Sequence, residues 1–280
     1  MRARYAAFMQ TGAPFGIVLA SLVGGFLEPA IGWRACFLLS VLPAALVIII
    51  RKRLPESDVW TARRAMISWT GFDAKNVDRE SNNRFLLLFS NEYRRLFLQS
   101  LVLSVFDTSA YWFTYSWLPG YLHEERHFPM IKSAIWMLVT QAGGLLGYLS
   151  FGFAADKFGR RPAYSVYPFI MAASLIMITL LWNVVVYPAV LLSFMFFVGF
   201  GTGMFSELYP TGIRNTAMGS AFNLARGVEF FTPVIIAVVA ERYGLGGGIS
   251  LAAVFAVLTG IWIWTFPETK GLKLKIVERH

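Results

Sequence analysis

Arg226 and Glu229 lie three residues apart inside a long apolar stretch of the chain. An arginine guanidinium stays charged and can bind a carboxylate through two parallel hydrogen bonds, whereas a carboxyl group can take up and release a proton. On a helix, Asn223, Arg226 and Phe230 share one stripe, with Glu229 on its flank. The spacing fits a binding site for a small carboxylate, with Glu229 as a proton carrier. It also fits a structural Arg226–Glu229 ion pair, and the sequence leaves both interpretations open.

Asp107 is a second acidic group within an apolar stretch, and aromatic residues surround it. Tyr111 and Tyr115 follow at i+4 and i+8, and Trp112 lies between them. Ionisable groups inside apolar spans are costly and usually functional, so Asp107 is a further candidate proton carrier. The three aromatic residues are candidates for a ligand pocket. The alternatives are a carboxylate that faces water without coupling and aromatic side chains that only pack. Gln141, in the next apolar stretch, is another pocket candidate.

The elements that carry these residues are predicted to be membrane-spanning helices. Of the 280 residues, 56% are hydrophobic and 15% are charged, whereas a soluble domain has about 25% charged residues. Apolar blocks of roughly 17–25 residues without alternation indicate helices that cross a bilayer. The chain is therefore predicted to be an all-α integral membrane protein with eight transmembrane helices. The predicted spans are 8–27, 33–51, 95–118, 131–154, 163–182, 185–205, 216–240 and 247–266.

Basic residues determine the predicted orientation of these spans. The net charge is +9, and Lys and Arg are concentrated in the cytoplasmic loops of membrane proteins. If the N terminus is cytoplasmic, the outside turns contain only Arg34, Arg126, Lys132 and Arg242. Both termini are therefore expected to be cytoplasmic.

One pattern occurs twice in the chain, at an offset of 212 residues. The segment 54–57 matches 266–269, and the same offset pairs Arg2 with Arg214 and Gly32 with Gly244. The first two spans are therefore expected to correspond to the last two, and four spans would be missing ahead of Met1. The alternative is a complete eight-span protein.

The repeat divides the chain into three predicted parts. Residues 1–53 are predicted to be the last two helices of an N-terminal bundle, 54–93 a cytoplasmic inter-bundle linker, and 94–280 a six-helix C-terminal bundle with a cytoplasmic tail.

Three motifs resemble those of the major facilitator superfamily. Residues 152–161 follow the pattern G-x-x-x-D-K-x-G-R-R, residues 207–214 read Glu-Leu-Tyr-Pro-Thr-Gly-Ile-Arg, and residues 267–271 read Pro-Glu-Thr-Lys-Gly. The resemblance implies helices 5–12 of a twelve-helix, two-bundle transporter with alternating access around a midplane site. It also implies a gating role at the cytoplasmic end for Gly152, Asp156, Lys157, Gly159, Arg160, Arg161, Glu207 and Arg214.

The residue sets of several other functional classes are not found in the sequence. The chain has no nucleophile–base constellation, phosphate-binding loop or metal-ligand set, so neither enzymatic activity nor a metal or other cofactor is expected. His123 and His127 are close enough in sequence to suggest a metal site, but a solvated external loop fits them better. The basic charge fits cytoplasmic loops rather than nucleic-acid binding.

Together, the residues and the resemblance predict a secondary active transporter of a small organic anion, a carboxylate, coupled to protons. Its expected partners are the solute, protons and the lipid bilayer of the plasma or inner membrane, and a monomer is expected for a full-length chain. A neutral-sugar porter, suggested by the motif at 267–271, is the alternative within transport. A truncated, inactive membrane fragment is the alternative outside it.

Overall fold

The computed structural model describes residues 2–39, 41, 47, 51–53, 84–127, 133–180, 186–196, 204–210 and 212–270. Within these ranges the regular structure is entirely helical, as predicted. The α-helices are α1 (Arg2–Gln10), α2 (Gly12–Leu22), α3 (Glu28–Leu39), α4 (Arg94–Glu124), α5 (Ser133–Phe158), α6 (Arg160–Leu180), α7 (Val186–Met195), α8 (Met204–Leu208), α9 (Arg214–Val228) and α10 (Thr232–Trp262). A π-helical segment, Val23–Leu27, links α2 to α3, and 3-10 turns occupy Glu229–Phe231 and Ile263–Thr265.

Three described helical segments are long and apolar enough to cross a membrane: Leu138–Phe158, Arg160–Leu180 and Arg214–Thr265. The last has 52 residues, more than twice the roughly 20 that one span requires. α4, with 31 residues, is long enough but more polar, because Ser, Thr, Tyr and Asp residues run through its middle. The count of eight spans stays a prediction.

Gly32 and Gly244 each interrupt a helix in the same backbone conformation. Gly32 has φ 77° and ψ 158° within α3, and Gly244 has φ 74° and ψ 174° within α10. Positive φ is strained for residues with a Cβ and accessible to glycine. These are the two glycines that the sequence repeat pairs.

The predicted span 216–240 is divided by the 3-10 turn Glu229–Phe231. Pro233 has no backbone N–H, so the Glu229 carbonyl lacks its α-helical donor. The Thr232 N–H donates to that carbonyl instead, which tightens the backbone into a 3-10 turn. The proline thus places Glu229 at the junction between α9 and α10.

The chain forms two compact units, residues 1–19 with 88–280 and residues 20–87. Within the first unit, α10 packs against α4 and α6, α7 against α5 and α6, α9 against α4, and α1 against α5. α5 and α7 approach closely at Gly143 and Gly147, where a Cβ on Gly143 would lie 2.6 Å from the Leu191 carbonyl oxygen. Small residues at i and i+4 commonly allow such close helix contacts in membranes. The predicted division into 1–53, 54–93 and 94–280 stays a prediction.

Candidate functional site

α9 has one packed face and one open face. Ala217, Ala221 and Ala225 are buried along the first, which fits the packing of α9 against α4. Asn223, Arg226 and Phe230 are exposed on the other. The stripe predicted from residue spacing therefore lies on an accessible surface.

Arg226 contacts aromatic rings. Its guanidinium carbon lies 5.8 Å from the ring centroid of Trp112 and 5.7 Å from that of Phe222, within range for cation–π attraction. In the described part of the chain, no ion pair joins Arg226 to Glu229. The structural ion pair that the sequence left open is therefore not formed there, and the guanidinium edge can receive an anion.

Glu229 accepts hydrogen bonds from three hydroxyl groups. Thr108 Oγ1 and Ser109 Oγ donate to Oε1 at 3.0 Å and 3.1 Å, and Thr232 Oγ1 donates to Oε2 at 2.8 Å. The first two donors are on α4, so Glu229 ties the α9–α10 junction to that helix. The sequence indicated Glu229 but not its donors, because Ser and Thr are too common to stand out.

The predicted aromatic residues on α4 form one cluster. Tyr111 stacks on Tyr115 with ring centroids 5.5 Å apart, and Trp112 contacts both rings edge-on at 5.4 Å and 5.9 Å. Phe194 of α7 lies 6.0 Å from Tyr111. Because Trp112 also contacts Arg226, the structure brings the predicted aromatic residues and the predicted cation together.

Asp107 is buried, with 3% of its surface exposed. Its Oδ2 atom has no hydrogen-bond partner among the described residues. Asp107 thus belongs to the interior of the bundle rather than to the open face that carries Arg226.

Each of the two predicted pocket amides makes a hydrogen bond within its own helix. Buried Gln141 donates through Nε2 to Oγ1 of its neighbour Thr140 at 3.4 Å, and Asn223 donates to the Gly219 carbonyl at 2.8 Å. Asn223 shares the open face with Arg226, whereas Gln141 lies inside the bundle.

A second cluster, at the junction of α5 and α6, contains most of the predicted gating residues. Arg160 donates to both carboxylate oxygens of Glu207, at 3.2 Å and 2.9 Å, and pairs with Asp156 at 3.3 Å. The side chains of Arg160 and Glu207 are 6% and 4% exposed. Bidentate geometry strengthens this buried pair.

Glu268 joins the third motif to the first. Its carboxylate accepts from the backbone N–H groups of Arg160 and Arg161 at 2.9 Å and 3.0 Å, and from those of Thr269 and Lys270. It thereby caps the N-terminus of α6, where unpaired N–H groups favour an anion. Gly159, at φ 110°, leaves room for the carboxylate, because a Cβ there would lie 2.9 Å from Glu268 Oε2.

Sequence reasoning missed Glu268 as a site residue, although its motif was visible. It also missed Arg4 of α1, whose Nε lies 3.5 Å from Asp156 Oδ2 and whose guanidinium carbon lies 4.5 Å from the Phe153 ring centroid. Spacing could not reveal either contact, because each joins segments more than 100 residues apart.

The remaining gating candidates surround this cluster. Arg161 donates to the Trp264 carbonyl at 2.7 Å, and Arg214 donates to the Tyr209 carbonyl at 3.2 Å. Lys157 is exposed, and its carbonyl accepts from Lys270 Nζ at 2.8 Å. Gly152 is buried within α5. The three motifs therefore converge at one end of the helices.

Acid is expected to weaken this end of the protein through Glu268. Burial alone would raise the pKa of the Glu268 carboxyl, but the four backbone donors bring the pKa below its usual 4.5. A lowered folded-state pKa stabilises the folded protein above the unfolded pKa, and that contribution is lost as pH falls through the folded pKa. Glu268→Gln should therefore be less thermostable than the native chain near neutrality, and the gap should close in acid. Thermal denaturation at a series of pH values measures this difference in thermostability. The exposed Glu241→Gln serves as control, and a gap independent of pH would contradict the assignment.

His123 and His127 are both exposed. No group of three or more His, Cys, Asp or Glu side chains that could hold a metal occurs among the described residues.

Comparison with known proteins adds two kinds of likeness. The sequence profile of the Major Facilitator Superfamily matches residues 1–228. A putative metabolite transport protein of Haemophilus influenzae is 29% identical over 283 residues, covering 98% of this chain and 67% of that protein. The cis,cis-muconate transport protein of Acinetobacter baylyi is 26% identical over 259 residues, covering 90% of this chain and 61% of that protein.

Among solved structures, the proton:xylose symporter XylE bound to 6-bromo-6-deoxy-D-glucose has a TM-score of 0.74 and 20% identity. The match covers 98% of this chain and 66% of that one. This likeness shows a shared fold. The chain spans 61% to 67% of the length of these three proteins.

Proposed function

The chain belongs to the major facilitator superfamily, and from this membership we propose that it transports a small organic carboxylate across the membrane in symport with protons. The family assignment confirms the resemblance seen in the three motifs. It also makes the chain a multi-pass membrane protein and not an enzyme, as predicted. Twelve-helix alternating access, a location in the plasma or inner membrane with cytoplasmic termini, and a monomeric state belong to the proposal.

The observation that carries this proposal is Arg226 on the open face of α9. A guanidinium without a protein carboxylate partner in the described residues, held against Trp112, suits a carboxylate ligand. The substrate pocket proposed around it comprises Tyr111, Trp112, Tyr115, Gln141, Asn223 and Arg226. The muconate transport protein among the relatives acts on a dicarboxylate, which supports this substrate class for the present chain.

Two carboxyl groups are available to carry the proton. Glu229 follows Arg226 by one helical turn, and Asp107 lies inside the bundle next to Thr108, one of the donors to Glu229. We propose both as coupling residues. An anion that enters with one proton for each of its negative charges crosses without net charge, so the proton gradient alone can drive its accumulation.

Gating is proposed for the cluster at the start of α6. Arg160 with Glu207 and Arg4 with Asp156 join α6 to α8 and α1 to α5. Charged pairs at such a seam can hold one end of a transporter closed and separate when it opens. Breaking them should therefore alter the balance between the two states.

Uptake by proteoliposomes containing the full chain tests the proposal. Uptake of radiolabelled cis,cis-muconate should be accelerated by an inward proton gradient, and a protonophore should remove that acceleration. Uptake of xylose without muconate uptake would instead support the sugar-porter alternative, which the XylE fold likeness keeps as the second candidate. Absence of both would support the inactive-fragment alternative.

A further inference from the structure

The Thr108 hydroxyl lies close to more hydrogen-bond acceptors than its one hydrogen can bond. A threonine hydroxyl has one hydrogen to donate and two lone pairs that accept. Thr108 Oγ1 lies 2.7 Å from the Ser104 carbonyl oxygen, 3.0 Å from Glu229 Oε1 and 3.4 Å from the Val105 carbonyl oxygen. Its single hydrogen can therefore be donated either to a carbonyl oxygen of its own helix or to Glu229.

The other two donors to Glu229 do not compete in this way. Ser109 donates to Oε1 and Thr232 donates to Oε2, and neither hydroxyl makes another described hydrogen bond. An ionised carboxylate only accepts, whereas a protonated one must also donate its own hydrogen. Thr108 Oγ1 can accept that hydrogen while its own hydroxyl hydrogen donates to the Ser104 carbonyl oxygen.

We infer that Thr108 reverses its hydrogen bond with Glu229 each time the Glu229 carboxyl gains or loses a proton. When Glu229 is ionised, the Thr108 hydroxyl donates to Oε1. When a proton from water binds Oε1, the new O–H donates to Thr108 Oγ1 and the Thr108 hydrogen turns to the Ser104 carbonyl oxygen. Every polar atom in the group keeps a partner in both states, so protonation leaves the contact between α4 and the α9–α10 junction intact.

The charged and titratable groups around Glu229 permit this exchange. Asp107 and Tyr111 lie on α4, and Arg226 lies one turn earlier on α9, but the hydrogen bonds to Glu229 in the described residues all come from hydroxyls. The opening turns of α10, residues 232–240, contain no ionisable side chain. An ion pair with Arg226 would hold the carboxylate ionised, whereas neutral hydroxyl groups serve both states. The arrangement also leaves Arg226 available to an anion, so within the proposed function Glu229 is one of the two coupling carboxyls and Thr108 its positioning residue.

Infrared difference spectra of the full chain in lipid bilayers, recorded between alkaline and acidic buffer, test the reversal. The protonated Glu229 carboxyl should give a C=O stretching band that is lost in Glu229→Gln. Thr108→Val removes the acceptor of the acid hydrogen and should move this band to higher frequency, whereas Thr108→Ser should leave it in place. Thr108→Ala provides the same test if the valine variant does not fold.

Thr114→Val is the matched control, because Thr114 is a buried α4 threonine whose hydroxyl, among the described residues, bonds to the Ala110 carbonyl of its own helix. A band at the same frequency in Thr108→Val or Thr108→Ala as in the native chain would overturn the inference, as would a band that survives Glu229→Gln. The spectra do not depend on transport. Loss of muconate uptake with this band pattern intact would therefore refute the proposed function alone, and normal uptake with no band shift would refute the reversal alone.

Discussion

Arg226→Ala is expected to reduce the uptake of cis,cis-muconate by about 10- to 100-fold. A hydrogen bond to a charged group contributes about 1.5–3 kcal/mol, and each 1.4 kcal/mol corresponds to about tenfold in binding. The loss should appear as reduced initial uptake at low substrate concentration in proteoliposomes. Arg226→Lys should give an intermediate rate, because an ammonium keeps the charge but cannot form the two parallel hydrogen bonds of a guanidinium.

Arg242→Ala is the matched control for this experiment. Arg242 is exposed on α10 with its guanidinium carbon 5.8 Å from the Tyr243 ring centroid, so its environment resembles that of Arg226. The control removes the same charge and a similar cation–π contact away from the proposed pocket. Equal uptake by the Arg226→Ala and Arg242→Ala proteins would exclude Arg226 as the carboxylate ligand.

Arg160→Ala is expected to lower the thermal midpoint of the purified protein by roughly 10 °C. Removing one member of a buried ion pair leaves an uncompensated charge, which costs about 3–5 kcal/mol, and each kcal/mol corresponds to about 2–4 °C for a domain of 150–250 residues. The charge left without a cation is Glu207, whose side chain is 4% exposed, whereas Asp156, the other carboxylate beside Arg160, keeps Arg4 at 3.5 Å. Thermal unfolding in detergent, followed by circular dichroism, measures the shift.

Two further variants separate the buried charge from a general loss of packing. Lys157→Ala removes an exposed cation three residues away and should leave the thermal midpoint nearly unchanged. Replacing both Arg160 and Glu207 with Leu removes the unpaired charge and should recover much of the stability lost in Arg160→Ala. A double variant as unstable as Arg160→Ala would show that the ion pair is not the cause.

The accessible stripe on α9 was predictable because helical periodicity fixes which residues share a face. Asn223, Arg226 and Phe230 needed only a spacing rule. The 3-10 turn that divides the predicted span 216–240 also left a sequence signal, in Pro233, which removes a backbone donor. The prediction of one continuous span passed over that signal, because the apolar run continues on both sides of the proline.

The partners of the predicted residues were not predictable from spacing. Thr108 and Glu229 are 121 residues apart, and Arg160 and Glu268 are 108 apart. Such contacts depend on how helices pack in three dimensions. The motif containing Glu268 was visible, but its action as a cap on α6 required knowing that the chain after α10 returns to the start of α6.

Glycine is required at positions 32 and 244 for reasons of chirality as well as of space. Every amino acid except glycine has a handed Cα centre, and the left-handed half of the backbone map is largely closed to it. A Cβ on Gly32 would meet no atom within 4 Å, whereas one on Gly244 would lie 2.8 Å from Glu125 Oε1. At Gly32 a side chain would have room, so glycine is required there only because its achiral Cα can adopt a positive φ. The two positions that the sequence repeat pairs therefore share a need for an achiral residue, although only Gly244 also lacks space for a Cβ.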